Sequence, residues 1–147
     1  MEMDKHIKKV SCATVVKLEE DLLKVTVNSG PSIEIAQVNE LSGTYDELVG
    51  PDKPFYVVTV LPEDLNPSKD LRDHWRSPER CKRKLAEAVV IKGTAMTIIA
   101  NFVHKMEMPE HRVRYFKEEA EALAWIKKTR HRDVLSLAEG GSNSLQS

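Results

Sequence analysis

Seven residues near the middle of the chain, Phe55-Tyr-Val-Val-Thr-Val-Leu61, form a nearly unbroken apolar run between Pro54 and Pro62. Prolines interrupt regular backbone pairing at both ends, and the run is rich in β-branched and aromatic side chains, so it reads as a short strand. It does not alternate with polar residues. A strand without alternation is covered on both of its faces, and such a strand belongs in the interior of a sheet flanked by helices. The neighbouring segments therefore have to supply both strands and covering layers.

Upstream, Val10-Ser-Cys-Ala-Thr-Val-Val-Lys-Leu18 and Leu22-Leu-Lys-Val-Thr-Val27 alternate at strand period around the acidic turn Glu19-Glu20-Asp21, which predicts a β-hairpin. The cluster Asn28-Ser-Gly-Pro31 breaks the second strand, and Ser32 stands where an N-cap is expected. Val38, Leu41, Tyr45 and Leu48 then recur at helical spacing until Gly50-Pro51 ends the helix. Downstream, Asp64 to Leu85 is more polar and reads as helix in two pieces, with Ser77-Pro78 starting the second. Ala88-Val-Val-Ile91 is a further strand, and Gly93-Thr94 leads into a helix striped by Ala95, Ile98, Ile99, Phe102, Val103 and Met106.

After Pro109 the chain closes with Arg112-Val-Arg-Tyr-Phe-Lys-Glu-Glu-Ala-Glu-Ala-Leu-Ala-Trp-Ile-Lys-Lys128. Val113, Tyr115 and Phe116 suit a strand. Ala122, Leu123, Trp125 and Ile126 share one broad arc of a helix, which turns Trp125 towards the sheet. The expected order is β-β-α-β-α-β-α-β-α: an α/β fold with a mixed sheet of about five strands, an N-terminal β-hairpin followed by alternating strands and helices that cover the sheet. Residues 1–9 are expected to be an N-terminal extension, 10–128 the domain, and 129–147 a partly flexible tail because of Gly140-Gly-Ser-Asn-Ser144.

A chain of 147 residues with 41% hydrophobic and 31% charged residues has enough apolar surface for one core. The net charge of −1 gives no global basic field, so nucleic-acid binding is not expected. Cys12 and Cys81 lie far apart and outside any C-x-x-C pattern, which favours two reduced, buried thiols over a disulfide framework or a zinc site. The N-terminus shows no apolar signal region, and no segment is apolar for long enough to span a bilayer, so a cytoplasmic protein is expected.

The chemistry-bearing residues do not converge in sequence. His6, His74, His104, His111 and His131 lack metal-ligand spacing, and neither a nucleophile elbow nor a phosphate-binding glycine loop is present. Glu63 and Asp64 are adjacent carboxylates without a histidine or nucleophile beside them, the pattern of a turn and helix start rather than of acid–base catalysis. No enzyme activity, metal or cofactor is expected. The sharpest charge feature is Arg72, Arg76 and Arg80, spaced every four residues with Trp75 among them. Guanidinium groups on one helical face suit a phosphate, an anionic head group or an acidic partner, and Trp75 suits a partner anchor. As an alternative, the row is a solvated helix laced with Asp73 and Glu79 pairs.

Glu87-Ala-Val-Val-Ile91, Ala95-Met-Thr-Ile-Ile-Ala-Asn-Phe-Val103 and Phe116-Lys-Glu-Glu-Ala-Glu-Ala-Leu-Ala-Trp-Ile126, taken with the element order, resemble the STAS-like superfamily of bacterial anti-sigma-factor antagonists. The resemblance covers residues 10 to 128 and is similar in particular to an uncharacterised branch that also resembles CRAL-TRIO lipid-binding domains. It implies a non-catalytic regulatory module that works through an unknown protein partner or self-association as a homodimer. The alternative it implies is a carrier holding a small apolar or anionic ligand. In the phosphoregulated members, the strand corresponding to Phe55–Val60 is followed by an Asp-x-Ser-Ser-Gly-like turn whose serine accepts phosphate. Here the chain reads Leu61-Pro-Glu-Asp-Leu-Asn-Pro-Ser-Lys69, so Ser68 alone stands near that place, without the acidic and glycine context.

Overall fold

In the computed structural model the described residues are 6–28, 34–63, 69–75, 83–91 and 112–146; for Leu71, Arg72, Trp75 and 138–146 only the backbone path is described. Six strands form one sheet in the order of the sequence: β1 (Ile7–Lys9), β2 (Ala13–Glu19), β3 (Leu22–Val27), β4 (Phe55–Val60), β5 (Lys84–Val90) and β6 (Arg112–Phe116). The first two pairings are antiparallel and the remaining three are parallel. Three helices accompany them: α1 (Ile35–Val49), α2 (Lys69–Trp75) and α3 (Glu119–Gln146).

β4 is the interior strand its sequence predicts. Its odd residues Phe55 and Val57 pack with Leu23, Val25 and Val27 of β3 beneath Leu41, Tyr45 and Leu48 of α1. The even residues Tyr56 and Val58 face the other way, into a second cluster with Ala86, Ala88 and Val90 of β5 and with Ala122 and Ile126 of α3. The side-chain period of two thus divides the core into two layers about a single sheet. Successive parallel strands all step in one direction, and crossovers of one hand stepping one way return over one face. Accordingly α2 lies beside α1, where the His74 Nε2–H donates to Asn39 Oδ1 at 2.8 Å. α3 follows the last strand and covers the opposite face alone among the described helices.

Several expected boundaries move. β1 adds a sixth strand before residue 10, pairing Ile7 with Val16 and Lys9 with Thr14. Its lysines hid it from hydropathy, and they also suit a short edge strand that discourages further pairing. The N-cap of α1 is Glu34 rather than Ser32, which lies outside the described residues: Glu34 and Gln37 bond reciprocally in a capping box. Gly50 ends α1 as expected, at φ 116° and ψ 143°, with its N–H donating to Asp46 O at 3.0 Å. The polar segment expected to remain helical up to Leu85 instead enters β5 at Lys84. α3 runs on through Lys128 to Gln146. The helix expected from Ala95 to Met106 lies outside the described residues.

Candidate functional site

α3 has 28 residues and would be about 42 Å long at ~1.5 Å per residue, whereas the seven-residue β5 spans about 23 Å at ~3.3 Å per residue. The helix is therefore much longer than the sheet it covers. Its sheet-facing stripe runs through the fully buried Ala122 and Ile126 and the buried Thr129. Trp125 is half-buried at the flank of this stripe, its ring 5.8 Å from that of Phe116. The expectation that it would face the core with Ala122 and Ile126 holds for its packing, but one side stays open.

Ion pairs fix the helix along this stripe. Lys24 of β3 pairs with Glu119 at its start. Arg130 donates to Asp21 Oδ1 and Glu19 Oε1, both at 2.9 Å, clamping the helix to the β2–β3 turn. Partial burial disfavours the Arg130 charge, but these carboxylates more than offset it and its pKa rises. One turn further, Asp133 accepts from Arg112 Nη1 at 2.9 Å and from the Tyr56 hydroxyl at 2.5 Å. Arg112 also donates from Nη2 to the carbonyl of Leu85 at 3.1 Å. The Arg112 bonds, with help from Tyr56, hold the Asp133 carboxyl below the usual carboxylate range against the opposing effect of burial. Burial, then the Asp133 carboxylate, pushes the Tyr56 hydroxyl well above an ordinary phenol.

Just past Asp133 the helix carries exposed aliphatic side chains. Val134, Leu135 and Leu137 are 58%, 51% and 76% exposed. On the side of α3 away from the sheet, Lys127, Lys128, His131 and Arg132 are exposed in the turns just before these aliphatics. Lys127 lies 3.8 Å from Glu19, while Lys128 and Arg132 make no ion pair among the described residues. Leu135 shares the outer side of the helix with these cations, while Val134 and Leu137 lie round the helix from it; an exposed convex surface spread over several helical turns suits a macromolecular partner better than a small molecule.

The sequence-derived candidates lie elsewhere. Arg72 and Trp75 fall on α2, whose backbone is helical, but their side chains are outside the described set; Ser68, Arg76 and Arg80 are outside it altogether. Of the two cysteines, Cys12 is buried and its thiol donates to the Gln37 carbonyl at 3.8 Å, while Cys81 is outside the described residues. The α3 surface was readable in the sequence as the basic run Lys127 to Arg132 followed by Val134, Leu135 and Leu137.

A second feature missed from sequence is a charged pair inside β5. Lys84 and Glu87 have side-chain exposures of 0% and 3%, and Lys84 Nζ reaches Glu87 Oε1 at 3.4 Å. The Thr59 hydroxyl donates to Glu87 Oε2 at 2.7 Å. Residues three apart on a regular strand face opposite ways; here Phe55 pairs with Lys84 and Tyr56 with Ala86, so Leu85 is bulged and both charges reach one face.

The one-way strand order, the N-terminal antiparallel hairpin and helices on both faces define a STAS-like α/β domain. The crystal structure of an uncharacterized DUF3478-family protein with a SpoIIAA-like fold, from Shewanella loihica PV-4, is similar at 13% identity and a TM-score of 0.53, over 82% of this chain and 90% of that one. The fold is SpoIIAA-like. The chain belongs to the family described as Domain of unknown function (DUF7793), whose sequence profile matches residues 16–130. A search of curated proteins found no significant match.

Proposed function

We propose that this chain is a non-catalytic, regulatory protein-interaction module, docking through the outer face and overhang of α3. The observation that supports it is the exposure of Val134, Leu135 and Leu137 together, beyond the last described sheet contact of the helix at Asp133. Full burial of such a side chain contributes roughly 1.5–3 kcal/mol, so a partner that covers the exposed half or more of each gains a corresponding part of it. The adjacent cations give that contact orientation and selectivity against basic surfaces. The buried Cys12 thiol suits a reducing compartment such as the cytoplasm.

Affinity purification from the source cell with quantitative mass spectrometry tests the reading. A specific protein recovered with the native chain is expected to be lost with the double substitution Leu135→Glu and Leu137→Glu. If recovery is the same for both chains, α3 is not the docking surface.

A further inference from the structure

We infer that the partner of the α3 face is a second copy of this chain, paired antiparallel through the same face; this rests on the interaction-module reading. A helix advances 100° per residue, so with Ala122, Ile126 and Thr129 against the sheet, the opposite side carries Ala120, Ala124, Lys127, Lys128, His131 and Leu135, all exposed. Charge on this side is divided by position. Glu121 stands near the helix start and makes no ion pair among the described residues, whereas Lys128, His131 and Arg132 follow about two to three turns later.

A parallel pairing of two such helices sets like charges together. An antiparallel pairing sets each acidic end against the other copy's basic stretch. With Ala124 near the dyad, Glu121 faces Lys128 of the second copy, and the twofold axis repeats that pair on the other side. The small side chains of Ala120 and Ala124 lie where the two backbones approach closest. In this register Leu135 extends past the start of the other copy's α3 towards its half-buried Phe116–Trp125 pair. One surface therefore supplies both halves of the complementarity, as a twofold interface requires. The face is narrow, so association in the micromolar range is expected.

Sedimentation equilibrium of the full chain, from about 1 to about 300 µM, reads the outcome directly. The native chain is expected to dimerise, and Glu121→Lys and Lys128→Glu are each expected to weaken the dimer at least about tenfold by placing like charges opposite. The combined Glu121→Lys/Lys128→Glu chain restores opposite signs across the dyad and is expected to recover most of the loss. Both positions are exposed, and unchanged circular dichroism and thermal unfolding would show that each variant folds. A native chain that stays monomeric throughout, or a dimer indifferent to both single reversals, overturns the pairing. A monomer that sediments with phosphatidylglycerol vesicles also overturns it, and assigns the face to a lipid surface. A monomer that still recovers a different protein in a Leu135-dependent manner sinks the self-pairing and leaves the interaction-module reading intact.

Discussion

Residue by residue, the least expected feature is the Lys84–Glu87 pair enclosed in the sheet. Taking both charges out of water is costly, and their mutual attraction and the Thr59 hydrogen bond help to offset that cost while both remain. Lys84→Met is therefore expected to destabilise the fold by about 3–5 kcal/mol, whereas Lys84→Met with Glu87→Leu should recover most of that loss. Urea unfolding of the two variants decides it, and equal losses would refute the coupling. The Asp133 cluster makes a pH-dependent prediction. Its carboxyl has a lower pKa in the fold than in the unfolded chain, chiefly through Arg112, so its contribution is present above about pH 4 and disappears as pH falls through the lower folded value. Asp133→Asn should cost about 1–2 kcal/mol at neutral pH, and the gap to the native chain should close on acidification. A gap that persists unchanged to pH 2 would count against it.

At the level of elements, α1 shows what local pattern can and cannot specify. Its apolar stripe and its end at Gly50 were legible, because both follow from periodicity and from backbone geometry that a side chain resists. At φ 116° a Cβ on Gly50 would also meet Lys53 Cδ at 3.2 Å. Gly50→Ala is expected to lower stability by about 1–3 kcal/mol in thermal or urea unfolding. The start of α1 was not legible, because the winning cap is tied to another element. Gln37 bonds back to Glu34 N–H at 2.8 Å, and Glu40 accepts both the hydroxyl and the N–H of Ser11, at 2.8 and 2.9 Å. Ser11 holds the Glu40 carboxyl below its ordinary range, backbone bond first. Arg83 closes the other end, pairing with Asp46, donating to Gly50 O at 2.7 Å and lying 5.8 Å over the Phe55 ring.

For the whole molecule, strand order governs where function can reside. The described parallel strands never reverse direction, so the sheet lacks the switch point at which open α/β sheets usually form a ligand crevice. The docking proposed for α3, on the opposite face, needs no such crevice. The same order places β4 and β5 at the centre of both packing layers. Their amides, from Tyr56 to Thr59 and Ala86 to Val90, are expected to exchange with solvent most slowly, and those of β1 far faster. Hydrogen-exchange mass spectrometry checks the ranking, and a β1 as protected as β4 would contradict it.

The hairpin, the interior strand β4 and the stripe of α1 were determined by sequence alone, because each depends on hydropathy period and turn chemistry among neighbouring residues. β5 was determined only in part in this way: Ala88 to Ile91 read as a strand, but the burial of Lys84 and Glu87 follows only once Leu85 bulges and carries both onto one face. The extent and exposed side of α3 also depended on tertiary structure. Lys127 to Leu137 can form the same helix in many settings, but only the position of the sheet, with the Asp21 and Arg112 anchors, decides which residues are covered and which remain open to a partner.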